Sequence, residues 1–219
     1  MESSRLMAPV RKGRRSFAFA WISDPREIEL AYVRTILPPK KAPLPSREEI
    51  LTFGGSSEKE WSATPILDAR PLVIFGVHPC DLAGLHRLDW AYMKKDGVQD
   101  PHYHARRTAA TIIGLDCQPD EYCFCTSVGT HASREEADLF LTPVSAGWVI
   151  EILSDKGGAL LRETAETRKA STAELAEAED YDAHLAEIRE RLNRVRSPFR
   201  SAEFFEVEEI IDPRDTRPV

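Results

Sequence analysis

No run in this chain is apolar over the roughly 20 positions that a membrane-spanning helix needs, so the sequence reads as not membrane-spanning. Phosphate-binding signatures are missing as well. Neither G-x-G-x-x-G nor G-x-x-x-x-G-K-[ST] occurs, so a flavin or nucleotide used with this protein is expected on a partner. There is no basic excess: 36 acidic against 29 basic residues give a formal charge of −7, and nucleic acid drops out as a partner. Cysteine is scarce, with four in 219 residues and none outside positions 80–125. A chain of this length buries about 70% of its unfolded surface and needs no covalent staple. In the cytoplasmic setting that we expect, four clustered thiols then point to metal binding or catalysis before disulfides.

Against these absences stands an ordinary globular balance of 42% hydrophobic and 30% charged residues. The pattern predicts an α/β fold: a mixed sheet with parallel central strands, an antiparallel edge hairpin and a C-terminal amphipathic helix. Arg14-Arg15 before Phe17–Ile22 is expected to lead into a first strand rather than to form an export leader, because the apolar stretch stops at Asp24. Ser23-Asp24-Pro25 opens an expected helix with Leu30, Val33 and Ile36 inward. The proline-rich run LPPKKAPLPS, 37–46, is an ordered connection or strap, and 52–65 reads as an exposed loop. Leu72–Val77 and Thr111–Leu115 are short continuous apolar runs, the mark of buried strands, and between them Asp81 is expected to cap a helix burying Leu82, Leu85 and Leu88. Residues 137–141 and 148–153 read as an antiparallel hairpin. Ser171 and Glu174 form a capping-box pattern ahead of a Tyr181, Leu185, Ile188, Leu192 stripe. We expect that helix to pack on another helix and carry the tail outward as a partner-binding arm, which divides the chain into a cysteine-site domain, 1–160, and a helical arm and tail, 161–219.

Both central strands end in a loop that carries cysteine, at His78-Pro79-Cys80 and at Asp116-Cys117, and ligands in open α/β sheets sit at the carboxyl ends of strands. Cys117, Cys123 and Cys125 follow as C-x5-C-x-C within DCQPDEYCFC. Four thiolates suit an iron–sulfur cluster or a structural zinc. The spacing matches neither the ferredoxin run nor paired C-x2-C knuckles, so free buried thiols remain open beside those two. His78 can serve as a ligand, as a donor to a cluster sulfur or as polar filler, while Thr126, Ser127 and Gly129 offer donors or simply a tight turn. His102, His104, Arg106 and Arg107 read as a polar turn, solvated or facing a partner or anion. A thiol enzyme ranks last, because no Asp or Asn partner for His78 can be assigned.

The stretches YVRTILPPKKAPLPSRE at 32–48, IFGVHPCDLAGLHRLD at 74–89, IIGLDC at 112–117 and YCFCTSVGTH at 122–131 carry a resemblance. Over about residues 8–160 the chain resembles the N-terminal region of sulfhydrogenase beta subunits and of the A-type subunit of anaerobic sulfite reductase. The resemblance implies an electron-transfer subunit between catalytic and flavin-bearing redox subunits, or serving a ferredoxin-like protein, with Cys80, Cys117, Cys123 and Cys125 at the family's recurrent cysteine positions. Members usually continue into a ferredoxin-like domain, whereas no cysteine follows Cys125 here, so this chain is not expected to be a two-cluster wire by itself. The tail at 197–219 is similar to the C-terminal segment of acyl-CoA carboxyltransferase beta subunits. The alternative to the redox reading is therefore a non-catalytic scaffold that has kept the fold, lost the electron path and docks a carboxylase-like partner.

Overall fold

The computed structural model describes residues 5–55, 61–97, 99–120 and 122–180. Its centre is a six-stranded mixed sheet in the order β2-β1-β5-β6-β7-β8. The strands are β1 (Arg5–Arg11), β2 (Phe17–Ile22), β5 (Leu72–Val77), β6 (Ala110–Leu115), β7 (Leu139–Val144) and β8 (Gly147–Ile152). β1, β5, β6 and β7 run parallel, and the outer strands β2 and β8 are antiparallel to their neighbours. Central strands covered on both faces should be apolar throughout rather than alternating. β6, ATIIGL, meets that condition, since all six of its residues are buried. The hairpin expected near 137–153 is present as β7–β8, turning at Ser145-Ala146.

β1 was hidden in the sequence by Pro9, which cannot donate to a ladder. In the fold β1 pairs with β5 from Arg5 as far as Met7, so Pro9 lies past that ladder and is tolerated. Beside it Gly76 adopts a left-handed φ of 79° where the β5–β6 register shifts, a conformation that a side chain would strain. Arg14 and Arg15 lie in the β1–β2 connection.

The helix expected after Asp24 is only a 3-10 turn, Pro25–Glu27, capped by Asp24. Its continuation is extended instead. The Glu29 amide donates to the Pro9 carbonyl and the Ile36 amide to the Phe17 carbonyl, so these backbone donors serve the sheet edge rather than a helix. Val33 and Ile36 are consequently exposed, at 38% and 67%, not inward. The proline-rich run is an ordered strap with Pro39 and Pro43 fully buried. Buried Arg106 fastens it, donating from Nε to the Pro43 carbonyl at 2.8 Å and pairing with Glu48. The expected loop at 52–65 contains instead a small antiparallel hairpin, β3 (Leu51–Gly54) and β4 (Ser62–Pro65), exposed along its length.

Helix α1 (Pro79–Asp89) buries Leu82 and Leu85 as anticipated and half-buries Leu88. Its cap is His78 rather than Asp81, because Pro79 takes the first helical position and moves Asp81 into the first turn. α2 (Pro101–Ala109), capped by the Asp100 carboxylate, replaces the expected polar turn. Arg107 pairs with Asp89 at 2.9 Å and Glu136 at 2.8 Å, so neither it nor buried Arg106 presents an anion site. α3 (Asp155–Thr164) was not foreseen, since Gly157-Gly158 reads as a helix breaker. Gly157 is required there by close approach: a Cβ would stand 2.2 Å from the Asp138 carbonyl oxygen. Residues 172–180 are helical, and the Ser171–Glu174 capping box forms, with the Ser171 amide donating to Glu174 at 2.8 Å. The stripe from Tyr181 onward and the tail at 197–219 lie outside the described residues. No helix among those described is long and apolar enough to cross a membrane.

Candidate cysteine site at the strand ends

β5 and β6 are neighbours and parallel, so the loops after them leave from the same edge of the sheet. Cys80 stands in the first turn of α1, three residues beyond β5, and Cys117 two residues beyond β6. Turns at 122–129 then carry Cys123 and Cys125 back toward that edge. Every pairing among the four thiols lies within electrostatic reach, and all four are free of disulfides. The fold thus gathers residues that are up to 45 positions apart, from 80 to 125.

The thiols do not share one character. Burial, followed by the charges of Cys80 and Asp116, pushes Cys117 far above the ordinary thiol range. Cys123 and Cys125 share a hydrogen bond in which Cys123 is the donor: the bond raises Cys123 and lowers Cys125, which is the better thiolate of the pair. Asp120 Oδ1, 3.3 Å from the sulfur, is the alternative acceptor for the same Cys123 proton. Cys80 is exposed as a residue, yet protein packed near its sulfur pushes the thiol up to about 11, with Asp81 and Cys123 adding to the effect. Water reaches Cys80 and screens these charges more than it does at Cys117.

Around the thiols lies a frame that sequence reading missed. Tyr32, 4% exposed, stacks on His78 with ring centroids 3.9 Å apart and planes 4° from parallel. Its hydroxyl donates to the Gly76 carbonyl at 2.6 Å, and the rings of Phe17 and Phe19 pack 6.4 and 5.9 Å from it. His78 is pushed down to about 4 by burial, so it is neutral near pH 7, and it hydrogen-bonds the Val33 backbone. Arg34 pairs with Asp120 at 2.8 Å. Buried Asp116 accepts the Cys117 amide at 2.9 Å. The available signal was the YVR triplet at 32–34, directly ahead of the strap and within a stretch that carried the family resemblance.

Among the described residues, no group of three or more His, Cys, Asp or Glu side chains stands ready to hold a metal ion. The chemistry of the set nevertheless suits a metal group. Burial, helped by nearby negative charge, keeps Cys80 and Cys117 protonated, the hydrogen bond to Cys125 and burial do the same for Cys123, and a bound cation is what would favour their thiolate forms. Two buried polar atoms near the cysteines, His78 Nε2 and Thr126 Oγ1, lack hydrogen-bond partners, a costly state that a ligand can relieve.

Comparison with known proteins bears on the same region. The chain is 36% identical over 156 residues, 71% of its length, to the sulfhydrogenase 2 beta subunit of Pyrococcus furiosus. The matched part of the chain belongs to the sulfhydrogenase beta-like family. The match spans 44% of that relative's length, so the relative is considerably longer than the shared part. No family model matches this chain, and no solved structure matches it.

Proposed function

We propose that this chain is an electron-transfer accessory subunit of a redox complex and that Cys80, Cys117, Cys123 and Cys125 hold one iron–sulfur-type group. The observation that carries this reading is that two neighbouring parallel strands end in loops bearing four thiols within electrostatic reach of one another, at the strand ends where such folds place ligands. Membership of the sulfhydrogenase beta-like family supports it. Catalytic and flavin-bearing subunits, or a ferredoxin-like protein, are the partners that the reading requires. A cluster at this place supplies one-electron storage at a potential set by its hydrogen bonds and burial. The protein's own task is to give up the thiol protons, to hold Cys117 and Cys125 away from water and to keep Cys80 near the surface. The buried Thr126 hydroxyl is free to donate to sulfur, which is how a surrounding shell tunes such a group.

Anaerobic purification, followed by incubation with iron and sulfide, tests the reading. A brown protein with broad visible absorbance and several iron atoms per chain is expected, and Cys123→Ser should lose most of that iron while its melting temperature stays put. A colourless chain with neither iron nor zinc would overturn it in favour of the scaffold. Zinc at one atom per chain would keep the four cysteines as ligands and remove the electron-transfer role.

A further inference from the structure

Three consecutive residues ahead of the strap each reach the cysteine-bearing edge or its frame. Tyr32 stacks on His78, and the Val33 backbone bonds the same imidazole. Arg34 crosses to the cysteine loop: Nη2 meets Asp120 Oδ2 at 2.8 Å, and the guanidinium lies 5.0 Å from the centroid of the Tyr122 ring. Asp120 organises that loop. Its Oδ1 accepts the Tyr122 amide at 2.9 Å and is the alternative acceptor for the Cys123 thiol at 3.3 Å, and its carbonyl accepts the Cys123 amide at 3.1 Å. The carboxylate that Arg34 grips is therefore the same group that fixes where Cys123 stands.

We propose that Arg34 is a positioning residue of the cysteine site, which holds Asp120 and Tyr122, and through them Cys123 and Cys125, against the ends of β5 and β6. Its importance for a bound group rests on the reading of the four thiols given above; its grip on the loop does not. The strap downstream of Arg34 is tied at Pro43 and Glu48 by buried Arg106, so the guanidinium reaches from an anchored segment. Arginine is specifically suited, because a planar cation can pair with a carboxylate and lie over an aromatic ring together. Lysine keeps the first contact and weakens the second.

The test is hydrogen–deuterium exchange on the reduced, metal-free full chain, comparing wild type, Arg34→Ala, Arg34→Lys, Asp120→Asn and the Arg34→Ala/Asp120→Asn double variant. Backbone exchange does not depend on thiol ionisation as alkylation does. Both contacts are partly exposed, with side-chain exposures of 55% for Arg34 and 31% for Asp120. The expected effect is accordingly moderate: about fivefold faster exchange across residues 117–130 in Arg34→Ala. Strands β5 and β6 should be unchanged, Arg34→Lys should fall between, and Arg34→Ala should add less than about twofold on the Asp120→Asn background. Equal exchange in Arg34→Ala and wild type would overturn the proposal. So would a uniform rise that includes β5 and β6, which would show a general structural role. Iron analysis of the same variants separates the two readings: if wild type takes up no iron while loop exchange still follows Arg34, the cluster fails and the positioning role stands.

Discussion

In the centre of the sheet β6 buries all six of its residues between two parallel neighbours, whereas three residues of the cysteine loop, Tyr122, Phe124 and Val128, are 63%, 76% and 68% exposed. The two regions touch, since Cys117 stands two residues past β6, but different forces hold them. The strands rest on apolar burial, which is non-directional and large in sum. The loop rests on a few polar ties, through Arg34, Asp120 and Asp116, each of which contributes little alone. Such a division lets a site be rearranged or loaded without melting the domain, because loop opening draws on local rather than global stability.

The largest break in this comparison should come from the core. Leu82 in α1 is fully buried, and Leu82→Ala should cost about 2–5 kcal/mol through lost contacts and a cavity. At this chain length that is a melting temperature lower by roughly 5–15 °C, and an unchanged melting curve would remove α1 from the core. Tyr32→Phe acts at the border of the two regions. It leaves the Gly76 carbonyl and the His78 amide without the phenol, and about 1–3 kcal/mol should be lost in thermal denaturation. A neutral result would mean that stacking on His78, not the hydroxyl, holds Tyr32. Phe124→Ala, between two cysteines yet 76% exposed, should change stability by less than about 0.5 kcal/mol. A large loss of melting temperature would place Phe124 in a packed interior.

The smallest expected effect concerns pH at a third place, where Asp68 joins Arg70 and Arg5. Chiefly the Arg70 hydrogen bond holds Asp68 well below the usual carboxylate range. A depressed carboxyl stabilises the fold above its unfolded value near about 4 and loses that contribution as pH falls. With the Arg70 side chain 62% exposed, only a few tenths of a kcal/mol are involved. Arg70→Ala should therefore melt slightly below wild type near neutral pH, and the gap should close as the pH is taken below about 4.

Much of the central layer was legible before any coordinates. Continuous apolar runs at Leu72–Val77 and Thr111–Leu115 identify buried strands because a parallel sheet covers both faces, and cysteine after each run marks its carboxyl end. Sequence by itself thus determined the parallel centre, the α1 core residues, the β7–β8 hairpin and the membership of the sulfhydrogenase beta-like family. It did not determine β1, the extended course of residues 28–37 or α3. Each of these depends on a partner distant in the chain: Pro9 is tolerated only where the β5 ladder has ended, Ile36 finds its acceptor at Phe17, and Gly157 helps only because Asp138 lies against it. The frame of the cysteine site belongs to the same class. Tyr32 on His78 and Arg34 on Asp120 join positions 46 and 86 residues apart, and no local periodicity reports such contacts, because only the folded sheet brings their backbones together.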